Sequence, residues 1–433
     1  MMKLFKHKPK KIISLAVLFM FLAAGCFGGQ PAAPQITLKI WKPFVDSGKF
    51  EALVEAYRVK RPNVQIEYTE KNIDTYEDDL LNALAAGQGP DIFSINNAWL
   101  PKYYNKITPA SDKVMNFTDY KNNFVDVMVK DFTRENKVYG TALWVDSLGL
   151  YYNKDLLGTA GIARPAQTWD ELGKQVQKIT KQDSNGYFTR SGVAMGANTN
   201  VNRSVDIVYL LMLQAGVVPW DASGLNPTFA QGLTTSNGSR SPGAEALNFY
   251  TSFASPASPN YTWNDRSDYS IDAFANGRAA YLYSYSYTIS TLYQKAPNLN
   301  YDIAPVPQYS LDNSSVNLAN YFGEVVNKQS KVADWAWDFL AFASSKDVLK
   351  KYYAVDKEPS GRKDIIEEQI SDPKIGVFAH ANLTAKSFYK PDQQKLDTIF
   401  GSMIDNVIFK SMKVRDALDQ AQSQATTLTR IFQ

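Results

Sequence analysis

Strand-like and helix-like patterns alternate along the 433-residue chain from residue 36 onward, which predicts an α/β fold of mostly parallel sheet flanked by helices. Apolar residues make up 45% of the composition, ample for two or three cores of ordinary domain size. A basic and then apolar leader sets this folded part apart from what precedes it.

In that leader Lys3, Lys6, Lys8, Lys10 and Lys11 come before an uncharged run from Ile12 to Gly25, ending Leu22-Ala23-Ala24-Gly25-Cys26. The run is too short to span a bilayer, so residues 1–25 read as a secretory signal. Cys26 is the only cysteine, so no internal disulfide can form. Its expected use is as a lipid-modified N-terminus after cleavage behind Gly25, holding the protein outside the cytoplasm on the membrane. A simply cleaved signal with an incidental cysteine is the alternative. Residues 26–35, rich in Gly, Pro and Ala, read as a tether. Cleavage would remove five of the 46 basic residues and none of the 43 acidic ones. The basic character of the chain therefore belongs to the leader, and no basic stripe remains to suggest nucleic acid. With two histidines and one cysteine, no His/Cys metal site is expected, nor any cofactor.

Ile36-Thr-Leu-Lys-Ile-Trp41 alternates as a strand, and Phe50, Leu53, Val54 and Tyr57 at i, i+3, i+4, i+7 give a helix that Pro62 stops. Val64 to Tyr68 is a second strand. Tyr76 to Ala86 is a second helix, carrying Leu80, Leu81 and Leu84 and ended by Gly87. Asp91 to Ile95 is a third strand. Parallel sheets of this kind bind ligands at the carboxyl ends of their strands, which makes the loops after Trp41 and Ile95 candidate binding loops. Thr168 and Glu171 form a capping box that starts a later helix. Val414, Ala417, Leu418 and Ala421 mark an amphipathic C-terminal helix.

Several segments carry a likeness to a known family: Gly89-Pro-Asp-Ile-Phe93, Leu150-Tyr-Tyr-Asn-Lys-Asp-Leu156, Thr168-Trp-Asp-Glu-Leu172, Phe274-Ala-Asn-Gly-Arg-Ala-Ala280, Gly323 to Ser345, and Pro359-Ser-Gly-Arg362. In this order and spacing the chain resembles the extracellular solute-binding proteins of ABC importers, in the maltose-binding-like branch that handles sugars. The resemblance implies a two-lobe periplasmic-binding-protein fold with a hinge. The first lobe would take 36–145 plus 321–362, and the second 147–320 plus 363–433. Hinges would lie near Asp146 to Leu148 and Ala319 to Phe322. It also implies a monomer that binds a small solute, a saccharide above all, and hands it to the transmembrane subunits of a permease.

A sugar offers apolar C–H faces and a rim of hydroxyls, so its site needs flat aromatic platforms with polar groups at the edges. Aromatics make up 13% of the chain, and for most of them core packing is the competing explanation. Position singles out Trp41 and Asp46 after the first strand, and Asn97 and Trp99 after the third. Trp144 and Asp146 lie at the first crossing, and Asp146 matches the position where sugar-binding relatives carry a hydroxyl-accepting carboxylate. Tyr281-Leu-Tyr-Ser-Tyr-Ser-Tyr287 alternates, so a strand there would put its tyrosines on one face, with Tyr285 or Tyr287 reaching ligand and a buried tyrosine ladder as the alternative. In relatives a stacking tryptophan falls at Tyr287. Tyr321 at the second crossing, and Trp220 and Trp263 in second-lobe loops, complete the candidates.

No catalytic residue is expected. A surface glycoside hydrolase would also combine aromatics with acids, but no motif here pairs two carboxyl groups. A binder of polyamine or peptide is the other alternative. Polyamines call for several cleft acids, whereas stacking aromatics with few charges favour a neutral saccharide.

Overall fold

A computed structural model describes residues 34–429, apart from 46, 236–237 and 356. The leader, Cys26 and Asp46 lie outside these residues. The alternation begins as the periodicity predicts: β1 (Ile36–Pro43), a helix Ser47–Lys60, β2 (Val64–Lys71), a helix Ile73–Ala85 and β3 (Ile92–Asn96). Leu38 and Ile40 turn one face of β1 inward, and Phe50, Leu53, Val54 and Tyr57 cover it. Asn72 caps the second helix by accepting the Asp74 N–H, and Gly87 beyond its end takes a left-handed φ of 68°. Both β2 and β3 pair parallel with β1.

A second sheet holds β4 (Gly149–Asn153), β5 (Phe188–Val193), β6 (Ala279–Ser284) and β7 (Tyr301–Ala304), in the order β7-β4-β6-β5. β8 (Phe322–Asn327) then returns to the first sheet beside β3. The sheets are mixed rather than mostly parallel: β8 runs antiparallel to β3, and β4 antiparallel to both β6 and β7. The reason lies in the connections. Phe322 pairs with Asn96 and Gly149 with Ser284, so each crossing strand enters at the carboxyl ends of its neighbours and must run backwards.

The apolar side chains form two clusters, one around each sheet. The chain changes cluster between Val145 and Leu148, between Leu318 and Ala319, and finally between Ala385 and Phe388, just after the helix Gly376–Asn382, which gives Phe378 to the second cluster and Ala379 to the first. Ile365 and Ile366 pack in the first cluster, although the sequence division put 363–433 with the second lobe. The helices Gln393–Phe409 and Val414–Thr429 close the second cluster with Leu396, Phe400, Leu418 and Ala421.

The three crossings are strapped side by side. Ser147 bridges to Ala319, and Asn317–Leu318 pair in parallel with Ala385–Lys386. Leu148 N–H donates to the Leu318 carbonyl (3.2 Å), and Asn382 Nδ2 to that of Val145 (2.7 Å). Among the described residues no helix is long and apolar enough to cross a membrane, and no group of three His, Cys, Asp or Glu is placed to hold a metal ion.

Candidate functional site

The carboxyl ends of the parallel strands in both sheets converge on these crossings. In the first sheet β1 leads into Phe44 and β3 into Asn97. In the second, β5 leads through Asn202 and Arg203 into the helix Ser204–Gln214, and β6 leads into Tyr285. Phe44 (φ 68°) and Arg203 (φ 61°) hold left-handed backbone without being glycine, a strain that gathers at functional loops. A run of hydrogen bonds links the two sides. Asn96 Nδ2 donates to Asn320 Oδ1 (3.0 Å), Asn320 N–H to the Asp146 carbonyl (3.0 Å), and Ser286 N–H to the Asp146 carboxylate (3.0 Å).

On the first side Phe44 is 59% exposed, its ring at an edge to Phe322 (5.4 Å), which in turn meets Trp99 edge-on (5.8 Å). Trp99 itself is 5% exposed and stacked on Tyr103, so most of its ring is committed to packing. Trp41 is half-buried with the Lys71 ammonium 4.1 Å from its ring centre. Its neighbour Lys42 turns inward to a buried ion pair with Glu324 of β8, and burial pushes the Lys42 ammonium down to about 7. The half-buried Trp144 ring lies 5.9 Å from the same ammonium.

Asn97 and Tyr321 face the hinge. Asn97 Nδ2 (3.0 Å) and the Tyr321 hydroxyl (2.8 Å) both donate to Asp131, and so does Ser387 from the third crossing. Asp131 thereby ties three segments together, and burial raises its carboxyl to about 6.

Asp146 plays the matching part on the second side. Its carboxylate accepts from Ser147 N–H (2.9 Å), Ser286 N–H and the Ser286 hydroxyl (2.7 Å). Burial raises it to about 7, while those bonds pull the other way. The oxygens expected to meet sugar hydroxyls are thus occupied by the protein.

The alternating tyrosine run stops being a strand at Ser284. Ser286 turns to Asp146, and Tyr287 N-caps the helix Thr288–Lys295, so Tyr285 and Tyr287 leave the sheet. Tyr281 and Tyr283 are buried in the second core. Tyr285 is 2% exposed and donates to Asp206 (3.0 Å), a carboxylate shared with the buried Lys390 (3.5 Å). Tyr287 is 42% exposed, the aromatic on this side best placed to stack. Arg203, which the sequence reading missed, lies over both rings, its guanidinium carbon 5.2 Å from the ring centre of Tyr285 and 5.5 Å from the ring centre of Tyr287. No periodicity marks it, because it belongs to a loop.

A groove of about 460 Å³ also runs between Pro101, Lys102 and Lys130 on the first side and Trp220, Leu225 and Tyr389 on the second. Trp220 is 5% exposed, with its indole N–H on the Tyr389 carbonyl (3.0 Å), so it forms wall rather than platform. Trp263 is 1% exposed and bonded to Asn200, and its ring is closed off inside the second core.

Known proteins are similar to this chain in sequence or in fold. A putative binding protein of Brucella abortus is 25% identical over 316 residues, 70% of each chain. The maltotriose-binding protein of Pyrococcus abyssi is 20% identical over 377 residues, 83% of this chain and 74% of that one. The crystal structure of the cyclic alpha-maltosyl-1,6-maltose binding protein of Arthrobacter globiformis superposes with a TM-score of 0.75 at 19% identity, covering 91% of this chain and 99% of that one, and so shares the fold. The profile of the bacterial extracellular solute-binding proteins matches residues 52–377, well over half of the chain, and the protein belongs to that family.

Proposed function

We propose that this protein is the solute-binding component of an ABC import system, that it takes a saccharide between its two lobes, and that it releases the sugar chemically unchanged to a permease. The observation that carries the reading is the placing of exposed rings, Phe44 on one side and Tyr287 on the other, at the carboxyl strand ends flanking a strapped hinge. Flat rings suit the C–H faces of a pyranose. The maltotriose-binding relative points to the same ligand class. Ligand bridging the two lobes favours the closed form by the difference in its affinity for the open and closed states. Family membership places the work outside the cytoplasm, and Cys26 would supply a lipid anchor there. Binding without catalysis fits the buried acids beside the cleft, because Asp131 and Asp146 are occupied by donors from the protein.

Thermal unfolding of the protein against mono- and oligosaccharides, amino acids and polyamines tests the proposal. A glycan at 100 times its Kd adds about 2.7 kcal/mol of stability. Chromatography must then recover that glycan intact. A midpoint raised only by polyamines or amino acids refutes the saccharide, and consumption of the glycan refutes the absence of catalysis.

A further inference from the structure

The polar groups around Tyr287 can be counted donor by donor. The Tyr287 oxygen accepts two hydrogen bonds, from Asn202 Nδ2 (3.1 Å) and from Arg203 Nε (3.2 Å). Asn202 is held in that orientation from behind, because its Nδ2 also donates to Ser284 Oγ (3.0 Å) and its Oδ1 accepts from the Tyr269 hydroxyl (3.2 Å). With both acceptor positions of the phenol filled, its own O–H is left to donate, and the side chain is 42% exposed.

Arg203 is in a similar state. Its Nε is used, and its Nη1 lies 3.8 Å from Asp206 Oδ2, beyond hydrogen-bond reach. Asp206 meanwhile serves Tyr285 and Lys390. The terminal nitrogens of the guanidinium therefore keep their N–H groups for something else, and the side chain is 37% exposed. The left-handed backbone at Arg203 and the two tyrosine rings beside its guanidinium hold this fork in place. Neither nearby acid turns an acceptor to this spot: Asp206, the ion-pair partner behind the guanidinium, is buried with its oxygens on Tyr285 and Lys390, and the Asp146 oxygens are taken by Ser147 and Ser286. The spot consequently offers donors only, one phenolic O–H and a planar fork of N–H groups, beside the exposed rings of Tyr287 and Tyr269 (43% exposed).

A neutral sugar hydroxyl both donates and accepts, and such a site would engage only its acceptor side, leaving its proton to solvent. A carboxylate accepts only, is planar, and matches an arginine fork with two parallel bonds. We infer that Arg203 and Tyr287 read a carboxylate on the bound saccharide, so that the protein prefers uronic-acid glycans to neutral ones. This inference rests on the saccharide reading above and names its substrate class.

Calorimetric titration with digalacturonate and with the neutral digalactoside that carries CH2OH in place of each carboxylate tests it. Charge-assisted bonds of this kind predict the acidic form binding about ten- to a hundredfold tighter, with the advantage shrinking as salt is raised. Arg203→Gln brings the ratio of the two affinities to about one, since the fork that reads the carboxylate is gone. Tyr287→Phe leaves the backbone untouched and lowers the ratio about two- to tenfold, which keeps the test open if the arginine variant fails to fold. If the neutral disaccharide binds as well as the acidic one, or the ratio survives both substitutions, the inference is overturned while the saccharide reading stands. If neither disaccharide, nor any other glycan, binds, both fall together.

Discussion

Replacing Asp146 by alanine distinguishes a carboxylate that staples the hinge from one that faces ligand. In the structure the side chain accepts from two backbone N–H groups, Ser147 (2.9 Å) and Ser286 (3.0 Å), and from the Ser286 hydroxyl. The hydroxyl can rotate to another partner, but the two amides cannot, and each buried amide left without an acceptor costs about 1–3 kcal/mol. Asp146→Ala is therefore expected to destabilise the unliganded protein by about 2–6 kcal/mol at pH 5. The loss depends on pH in a definite direction. Burial raises the carboxyl from 3.8 to about 7, so the folded state holds its proton more tightly than the unfolded state does. The contribution of Asp146 to stability is thus full below the unfolded value and declines as pH rises toward the folded one. At about 1.4 kcal/mol per unit, the penalty of the alanine variant shrinks by about 2–3 kcal/mol between pH 5 and pH 8. Urea unfolding followed by tryptophan fluorescence, without ligand and at both pH values, gives the two differences directly. An unliganded variant as stable as the parent at pH 5, or an equal penalty at both pH values, refutes the hinge-staple assignment.

Further perturbations probe other parts of the same framework. Lys42→Ala strands a buried Glu324 and should cost about 3–5 kcal/mol by urea unfolding, whereas the double variant Lys42→Met, Glu324→Leu should come within about 2 kcal/mol of the parent. Asp131 is raised to about 6, so it too favours the fold less as pH climbs through that value, and Asp131→Asn should flatten the dependence of unfolding free energy on pH between 4 and 7. Gly196 has a φ of 108°, and a Cβ there would lie 2.6 Å from the Ala254 amide nitrogen, so Gly196→Ala should lower the melting midpoint by several degrees, about 2 kcal/mol or more.

Repeating signals in the sequence were legible; solitary ones were not. Phe50, Leu53, Val54 and Tyr57 announce their helix because burial on one face enforces a period, and the strand-helix alternation up to β3 follows from the same cause. The crossing at Asp146 could be placed through the resemblance, but its role could not, because Ser286 is 140 residues away along the chain. Lys42 and Glu324 are separated by 282 residues and neither leaves a local mark. The run from Tyr281 to Tyr287 misled for a physical reason. Its alternation continues past Ser284, yet the chain turns there because Ser286 is captured by Asp146, a contact no period can encode. Arg203 went unread since a loop residue with left-handed backbone has neither helix nor strand spacing.

The direction of β1 has a practical side. The chain arrives at Pro34, whose carbonyl is held by Asn63, and then runs eight residues from Ile36 to Pro43 before reaching Phe44. At about 3.3 Å per residue, this puts roughly 25 Å between the point of attachment and the rings that would grip a solute. A pull on the chain at Ile36 therefore acts at the end of β1 remote from those rings, along the strand rather than across the mouth.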